Sequence, residues 1–412
     1  MASAIEQAKT VSIRDVISRY VPGVQFPYHN NANMSCPFHK DAAPSFHIYP
    51  HTNTFHCFSC GAGGSVIDFV MHATGLIDPL AAAKTICDDF GLEYEQVAVD
   101  EKDALYYDVY KYTESLFMKA NTRYVLPDGT VPMEYWKKRK VDGLVNSYGL
   151  GFCPPAFLDS SRRVVPFAKI LKAKFPGCDP YEYGLTDKAG NCLFSDRYMF
   201  PIRDARGKTI AFSGRARDNS SPAKYKNSPE TEHFHKRSLL YNLDVARGYG
   251  SVVIVEGHVD ALSLIVSGVP NVVAAMGTAI TPEHLGHLQN KRILLAFDND
   301  TAGMKKQAGL VSENINKIKF DCLKVGTLGE HKDFNDALVA GKDCAELINK
   351  RHWCFGLEYL LQWYKTTSDL SNVYDRDNLY ENMCKYINDC CYSEVVQNYV
   401  YKHTLRLLGL KF

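Results

Sequence analysis

No stretch of about 18 consecutive apolar residues occurs in this chain, so nothing in it reads as a membrane-spanning helix. The opening residues, MASAIEQAKT, lack the apolar centre of a secretory signal. A surplus of one charge sign is missing too. The 47 Lys and Arg oppose 46 Asp and Glu, for a net charge of +1. No molecule-wide basic field therefore advertises nucleic acid, and any such site must be local. The 13 cysteines are odd in number and follow no regular spacing, which argues against a disulfide framework. With no signal sequence, they point to reduced thiols in a cytosol, some of them on metal. There is no internal repeat, no low-complexity tract and no G-x4-G-K-S/T phosphate loop, so no fused ATP-driven motor of that kind is present. What remains is a globular composition, 46% hydrophobic and 23% charged over 412 residues. That length suits roughly two to four domains with cores of their own.

The chemistry is concentrated at the ends of apolar runs. Val252 to Leu264 reads VVIVEGHVDALSL, four apolar residues closed by Glu256 and Gly257 and followed by a helical pattern. Such a run suits a buried parallel strand, and sheets of this kind bind ligands at the strands' carboxyl ends. A lone Glu there is more often a helix cap. A second unit, ILLAFDND from Ile293 to Asp300, ends in Asp298 and Asp300 before Thr301, Ala302 and Gly303 open another helix. Two residues apart, these aspartates share a face if the strand continues through them. A third acidic patch, Lys332 to Asp336, follows the apolar stretch Cys322 to Val325. Carboxylates gathered this way repel unless a cation neutralises them, and Mg2+ is commonly held by one or two carboxylates plus substrate phosphates.

Two further clusters stand out. Cys36 and His39, then Cys57 and Cys60, form C-x2-H and C-x2-C pairs with seventeen residues between them. Paired spacing of this kind gives Zn2+ its four tetrahedral ligands. His47, His51 and His56 are nearby alternatives to His39. The stretch from Ser45 to Phe58, with a turn at Pro50 to Asn53, reads as a hairpin. Its Phe46 and Phe55 are either ribbon core or exposed stacking platforms for bases. Helices are expected at Ser12–Val21 (with Ser12 and Asp15 as a capping box), at 65–74, at 79–90, and from Ala104. Tyr135 to Lys140 places four positive charges beside two aromatics, either a solvated face or a nucleic-acid rim. Arg197 to Arg237 is the local basic block, with ten Lys or Arg against four acids. Within it a hairpin is expected, turning at Asp204 to Lys208. Cations of this density suit phosphates. Beyond Asp336 the pattern is helical, at Trp353–Tyr364, Asn378–Ile387 and Tyr392–Leu408.

Together these motifs carry a resemblance. Glu-Gly after one strand and Asp-x-Asp-x-x-Gly after a later one resemble the TOPRIM domain. CPFHKDAAPSF and CFSCGAGGSVIDF resemble the N-terminal zinc ribbon of bacterial DNA primases. RYMFPIRDARGKTIAFSGR and PAKYKNSPETEHFHKRSLLYNL resemble the polymerase core of the same family. The resemblance implies an α/β fold in which a small zinc ribbon precedes a TOPRIM Rossmann-like, mostly parallel sheet. It also implies a flanking α+β subdomain and C-terminal helices. The expected division is ribbon 1–95, linker 96–104, N-terminal part of the polymerase core 105–248, TOPRIM 249–345 and helical subdomain 346–412.

The implied activity is synthesis of short RNA primers on single-stranded DNA from nucleoside triphosphates during replication. The alternatives are a TOPRIM nuclease, or a single-strand-binding module without catalysis. Structural Zn2+ on Cys36, His39, Cys57 and Cys60 is implied. So is catalytic Mg2+ or Mn2+ on Glu256, Asp298, Asp300 and Asp333, the first three being the catalytic residues. Template or nucleotide contacts fall on Arg215, Lys224 and Lys236, with Arg197 in the same block. Two positions depart from the family pattern. Ser147, in SYGLGFCPP, stands where an Arg is usual, for which Arg139 or Lys140 could substitute. Asn335 stands where a second acid is common; its neutral oxygen could still ligate, or Asp336 could replace it. A cytoplasmic setting is expected, in a bacterium or in the host of a phage. Because the chain stops before the family's helicase-binding domain, any replicative helicase is expected to be a separate partner.

Overall fold

The computed structural model describes residues 2–410 apart from 22, 25–31, 39–42, 75, 77–78, 96–100, 160, 219–220, 222 and 278. The chain separates into two compact units. One comprises residues 1–134 and 144–250, the other 135–143 and 251–412. No single described helix is long and apolar enough to cross a membrane.

In the first unit, the ribbon is a four-stranded antiparallel meander, Ala32–Met34, Phe46–Tyr49, Thr54–Cys57 and Gly63–Ser65. The expected hairpin is its centre, and Asn53 at its turn takes a positive φ of 56°. The Asn53 side chain accepts the Ile13 N–H and donates to the Lys9 and Val11 carbonyls, pinning the turn to the N-terminal helices. Phe46 and Phe55 are buried and stack on each other at 5.1 Å, so they are ribbon core and not base platforms; Phe58 is the exposed ring. Helices Val66–Thr74 and Pro79–Phe90 close this core. The helix Ile13–Tyr20 is capped by Ser12, whose hydroxyl takes the Arg14 N–H. The reciprocal capping box lies elsewhere, at Ser3 and Glu6 ahead of Ala4–Ala8.

Residues 96–100 of the expected linker lie outside the described residues, and the helix Glu101–Arg123 already covers its remainder. This helix lies against a second antiparallel sheet, ordered Tyr225–Asn227, Thr209–Ala216, Arg197–Arg203, Gly151–Cys153. The two long strands form the expected hairpin. Asp204 fixes its turn by accepting the Arg206 and Lys208 N–H groups at 2.8 and 2.9 Å. Pro201 follows Met199, the last residue paired with the Gly151–Cys153 strand, so its missing N–H falls where the strand has a single neighbour.

The second unit is built on a five-stranded sheet. Its order is Val272–Ala274, Ser251–Val255, Arg292–Leu295, Phe320–Leu323, Trp353–Phe355. The first four strands are parallel and the last is an antiparallel edge. Residues 252–255 and 293–295 are buried, as their unbroken apolar runs require of strands covered on both faces. Trp353–Phe355 was expected to open a helix. Instead it pairs with Asp321–Leu323, and the helix begins at Gly356, where a Cβ would meet the Tyr392 hydroxyl at 2.8 Å and Val311 at 2.9 Å. Helices Val373–Asp389 and Glu394–Leu407 complete the unit.

Candidate functional site

After Ser251–Val255 the chain crosses to one side to reach Val272–Ala274, then returns to place Arg292–Leu295 on the other side. Strand order therefore reverses at Ser251–Val255, and the carboxyl ends of this strand and of Arg292–Leu295 flank the crevice where open α/β sheets bind ligands. Glu256 follows the first of these strands. Asp298 and Asp300 follow the second. They do not share a strand face, because pairing in register stops at Leu295 and a short loop carries both.

The loop is held from several sides. Gln307 accepts the Phe297 N–H at 3.0 Å, and Glu256 Oε1 accepts the Asp298 N–H at 3.3 Å. Asn299, between the aspartates, binds the carbonyls of Gly329 and His331, while its N–H donates to the Lys332 carbonyl. That ties the second carboxylate loop to the third. Asp300 caps the helix Thr301–Asn314 by accepting the Gly303 N–H at 2.8 Å, which holds its carboxyl below the usual range, with help from Lys332. Gly303 is a necessity of close approach: a Cβ there would lie 2.3 Å from the Asp298 carbonyl oxygen and 2.8 Å from Glu256 Oε1. Asp333 caps the next helix through the Asp336 N–H at 2.7 Å.

The charges meet. Burial, then Glu256 and Asp333, push the Asp298 carboxyl up to about 7. Burial likewise drives Asp260 well above its ordinary value, aided by Asp333, Asp298 and Glu256. Sequence reasoning did not single out Asp260. Its signal was a carboxylate one turn after Glu256 on a mostly apolar helix, and only 8% of it is exposed. Two lysines were passed over as well. Lys306 bonds Glu256 Oε2, and Lys332 lies 3.0 Å from Asp300 and 4.0 Å from Asp298.

Asn335 is not part of this cluster's inner face. Its side-chain oxygen accepts from Arg139 Nη1 at 2.7 Å, and its amide nitrogen donates to the Arg139 carbonyl and to Ser263 Oγ, both at 2.9 Å. The expected neutral ligand is thus engaged elsewhere, and Arg139 is committed to it rather than standing in for the Arg replaced by Ser147. Ser147 itself offers its carbonyl to Arg203. Asp336 is exposed and accepts the Lys332 N–H at 3.2 Å.

In the ribbon, the Sγ atoms of Cys36, Cys57 and Cys60 lie within 4.8 Å of one another. His39 lies outside the described residues. A hydrogen bond with Cys60 and burial push the Cys36 thiol far up, which is the state a bound cation would reverse. Three converging soft donors fit Zn2+.

Of the basic block, Lys224 is exposed and Arg215 and Lys236 are half-buried. Arg197 is a correction. It is buried, and its guanidinium binds the carbonyls of Gly214 and Ala223 and the Ser221 hydroxyl, so it fastens the sheet and presents no outward cation.

Three family models match the chain: CHC2 zinc finger over residues 2–102, DNA primase catalytic core, N-terminal domain, over 123–247, and Toprim-like over 253–338. The DNA primase of Pseudomonas putida is 34% identical over 300 residues. The chain belongs to the bacterial-type DNA primase family. The match covers 67% of this chain but 43% of the Pseudomonas primase, so the chain spans under half of that relative. A primase structure from Aquifex aeolicus, comprising zinc-binding and RNA polymerase domains, shares the fold at 24% identity and a TM-score of 0.58, covering 100% of this chain and 98% of that one. The RNA polymerase domain of Mycobacterium tuberculosis primase, in complex with a double-stranded DNA carrying a 6-nucleotide overhang, matches with a TM-score of 0.59 at 20% identity, covering 75% and 98%. A primase ribbon of the CHC2 kind takes structural zinc, and a Toprim-like region implies a divalent metal ion.

Proposed function

We propose that the chain synthesises short RNA primers on single-stranded DNA, joining nucleoside triphosphates by phosphodiester formation in the cytoplasm of a bacterium or of a phage's host. The observation that carries this is the gathering of Glu256, Asp298, Asp300 and Asp333 at the strand ends of a chain that also holds the primase ribbon and polymerase-core blocks. The DNA in the complex of the tuberculosis primase supports a DNA template.

Glu256, Asp298 and Asp300 are the proposed ligands of Mg2+ or Mn2+, with Asp333 beside them; Cys36, His39, Cys57 and Cys60 are those of Zn2+. A divalent ion bound there supplies positive charge against the triphosphate and lowers the pKa of the attacking hydroxyl. The protein's own part is to hold the oxygens fixed. Capping locks Asp300 and Asp333, and Gly303 lets the helix close on Asp298 and Glu256. Asp260, buried beside them and driven by that burial toward its neutral form, anchors the Asn335 N–H. Arg215, Lys224 and Lys236 are proposed to contact template or nucleotide phosphates. The five-part division of the chain given by the resemblance accompanies this reading.

One gel tests it. Single-stranded template, labelled nucleotides and Mg2+ or Mn2+ are expected to yield short oligonucleotides. Shortened template would indicate a nuclease instead, and unchanged template with no product a binding module.

A further inference from the structure

Lys306 and Lys332 occupy the oxygens that the proposed cation needs. Lys306 Nζ binds Glu256 Oε2. Lys332 Nζ is 3.0 Å from Asp300 Oδ2 and 4.0 Å from Asp298 Oδ2. An ammonium group and a divalent ion cannot share a carboxylate oxygen without strong repulsion, so one must leave as the other enters. Both lysines are built to leave. Their side chains are 62% and 58% exposed, so each ammonium group can return to water as it leaves. Lys306 also has space to move. It and Glu256 line one cavity of about 600 Å³, bounded further by Ile280, Phe297, Lys305 and Leu310.

We propose that Lys306 and Lys332 are exchangeable counter-ions. They neutralise the carboxylates while the site holds no metal, give way to the divalent ion, and then bind the triphosphate that arrives with it. The inference rests on the reading of this site as a cation-dependent nucleotidyl-transfer centre. Its consequence is coupling. A displaced ammonium group regains an anionic partner only when phosphate is present, so metal and nucleotide each strengthen the binding of the other. The carboxylates are neutralised in the apo protein without holding metal tightly.

The test is a Mn2+ titration of the full chain, followed by electron paramagnetic resonance, with and without a non-hydrolysable nucleoside triphosphate analogue. Wild type, Lys306→Met, Lys332→Met and Asp298→Asn are compared. Methionine keeps the stem and removes the charge. Without nucleotide, each lysine variant is expected to bind Mn2+ about three- to tenfold more tightly than wild type, the size expected for removing one exposed like charge. With the analogue, wild type is expected to tighten more than either variant. Mn2+ affinity equal to or weaker than wild type in both variants, or an undiminished response to the analogue, overturns the proposal. A wild type that binds no Mn2+, or binds it as well after Asp298→Asn, overturns the reading of the site itself.

Discussion

At the scale of the residue, Asn335 shows how a family position can change its use. It is 1% exposed, and every polar atom of its side chain has a partner within the same unit. The amide's asymmetry is what fits. Its oxygen meets the Arg139 guanidinium, while its nitrogen donates to the Arg139 carbonyl and to Ser263 Oγ, whose own proton goes to the Val259 carbonyl. A carboxylate would set an acceptor against those two oxygens and add charge beside Asp260, which already accepts the Asn335 N–H. Asn335→Asp is therefore expected to destabilise the protein by about 1–3 kcal/mol, the cost of unsatisfied buried polar groups, and to leave Mn2+ affinity unchanged. Thermal melting and the same titration check both halves. Tighter Mn2+ binding in that variant would show that the position does reach the cation. The residue type alone suggested a weakened ligand; only the partner, 196 positions away, reveals an anchor.

At the scale of the element, strands and their terminal residues were legible where one physical cause dominated. The apolar runs at 252–255 and 293–295 are buried strands because nothing else in those stretches competes. The hairpins at 46–57 and 197–216 follow from strands around turn residues. Where two causes competed, spacing was a weaker guide. Asp298 and Asp300 suit one face of an extended strand, yet Asp300 is drawn off as a helix cap and the strand ends before both. Ser12 fits a capping box by spacing, but the reciprocal bond is made by Ser3 and Glu6. Trp353–Phe355 has helical company in sequence and an open sheet edge in space, and the edge prevails. In the ribbon, spacing sufficed for the three described thiols, since a short knuckle leaves the side chains few directions. Purified protein is expected to carry about one zinc per chain, and Cys57→Ser to lose it, as elemental analysis would show. Full retention in that variant would remove Cys57 from the ligand set.

At the scale of the molecule, the order of ribbon, polymerase core and Toprim-like sheet was readable because each carries its own local motif. The membership of residues 135–143 in the second unit was not. Its basic, aromatic start says nothing about which unit it joins; its tie to Asn335 is a long-range pair that periodicity cannot express. Likewise Arg197 belongs to a basic run by sequence and to the interior of a sheet by structure, because a guanidinium can satisfy carbonyls as readily as phosphates. The carboxylate cluster is a different case. Each acid was visible at the end of its own element, and the fold adds burial and mutual repulsion, which together push the Asp298 carboxyl up to about 7. A site assembled against such repulsion favours function over stability. Glu256→Gln and Asp298→Asn should therefore leave the metal-free melting temperature level or higher. The decisive measurement is the rate of primer synthesis by these two variants across a Mg2+ titration. We predict no synthesis by either variant at any Mg2+ concentration at which wild type is active; wild-type rates in both would contradict the assignment of these carboxylates.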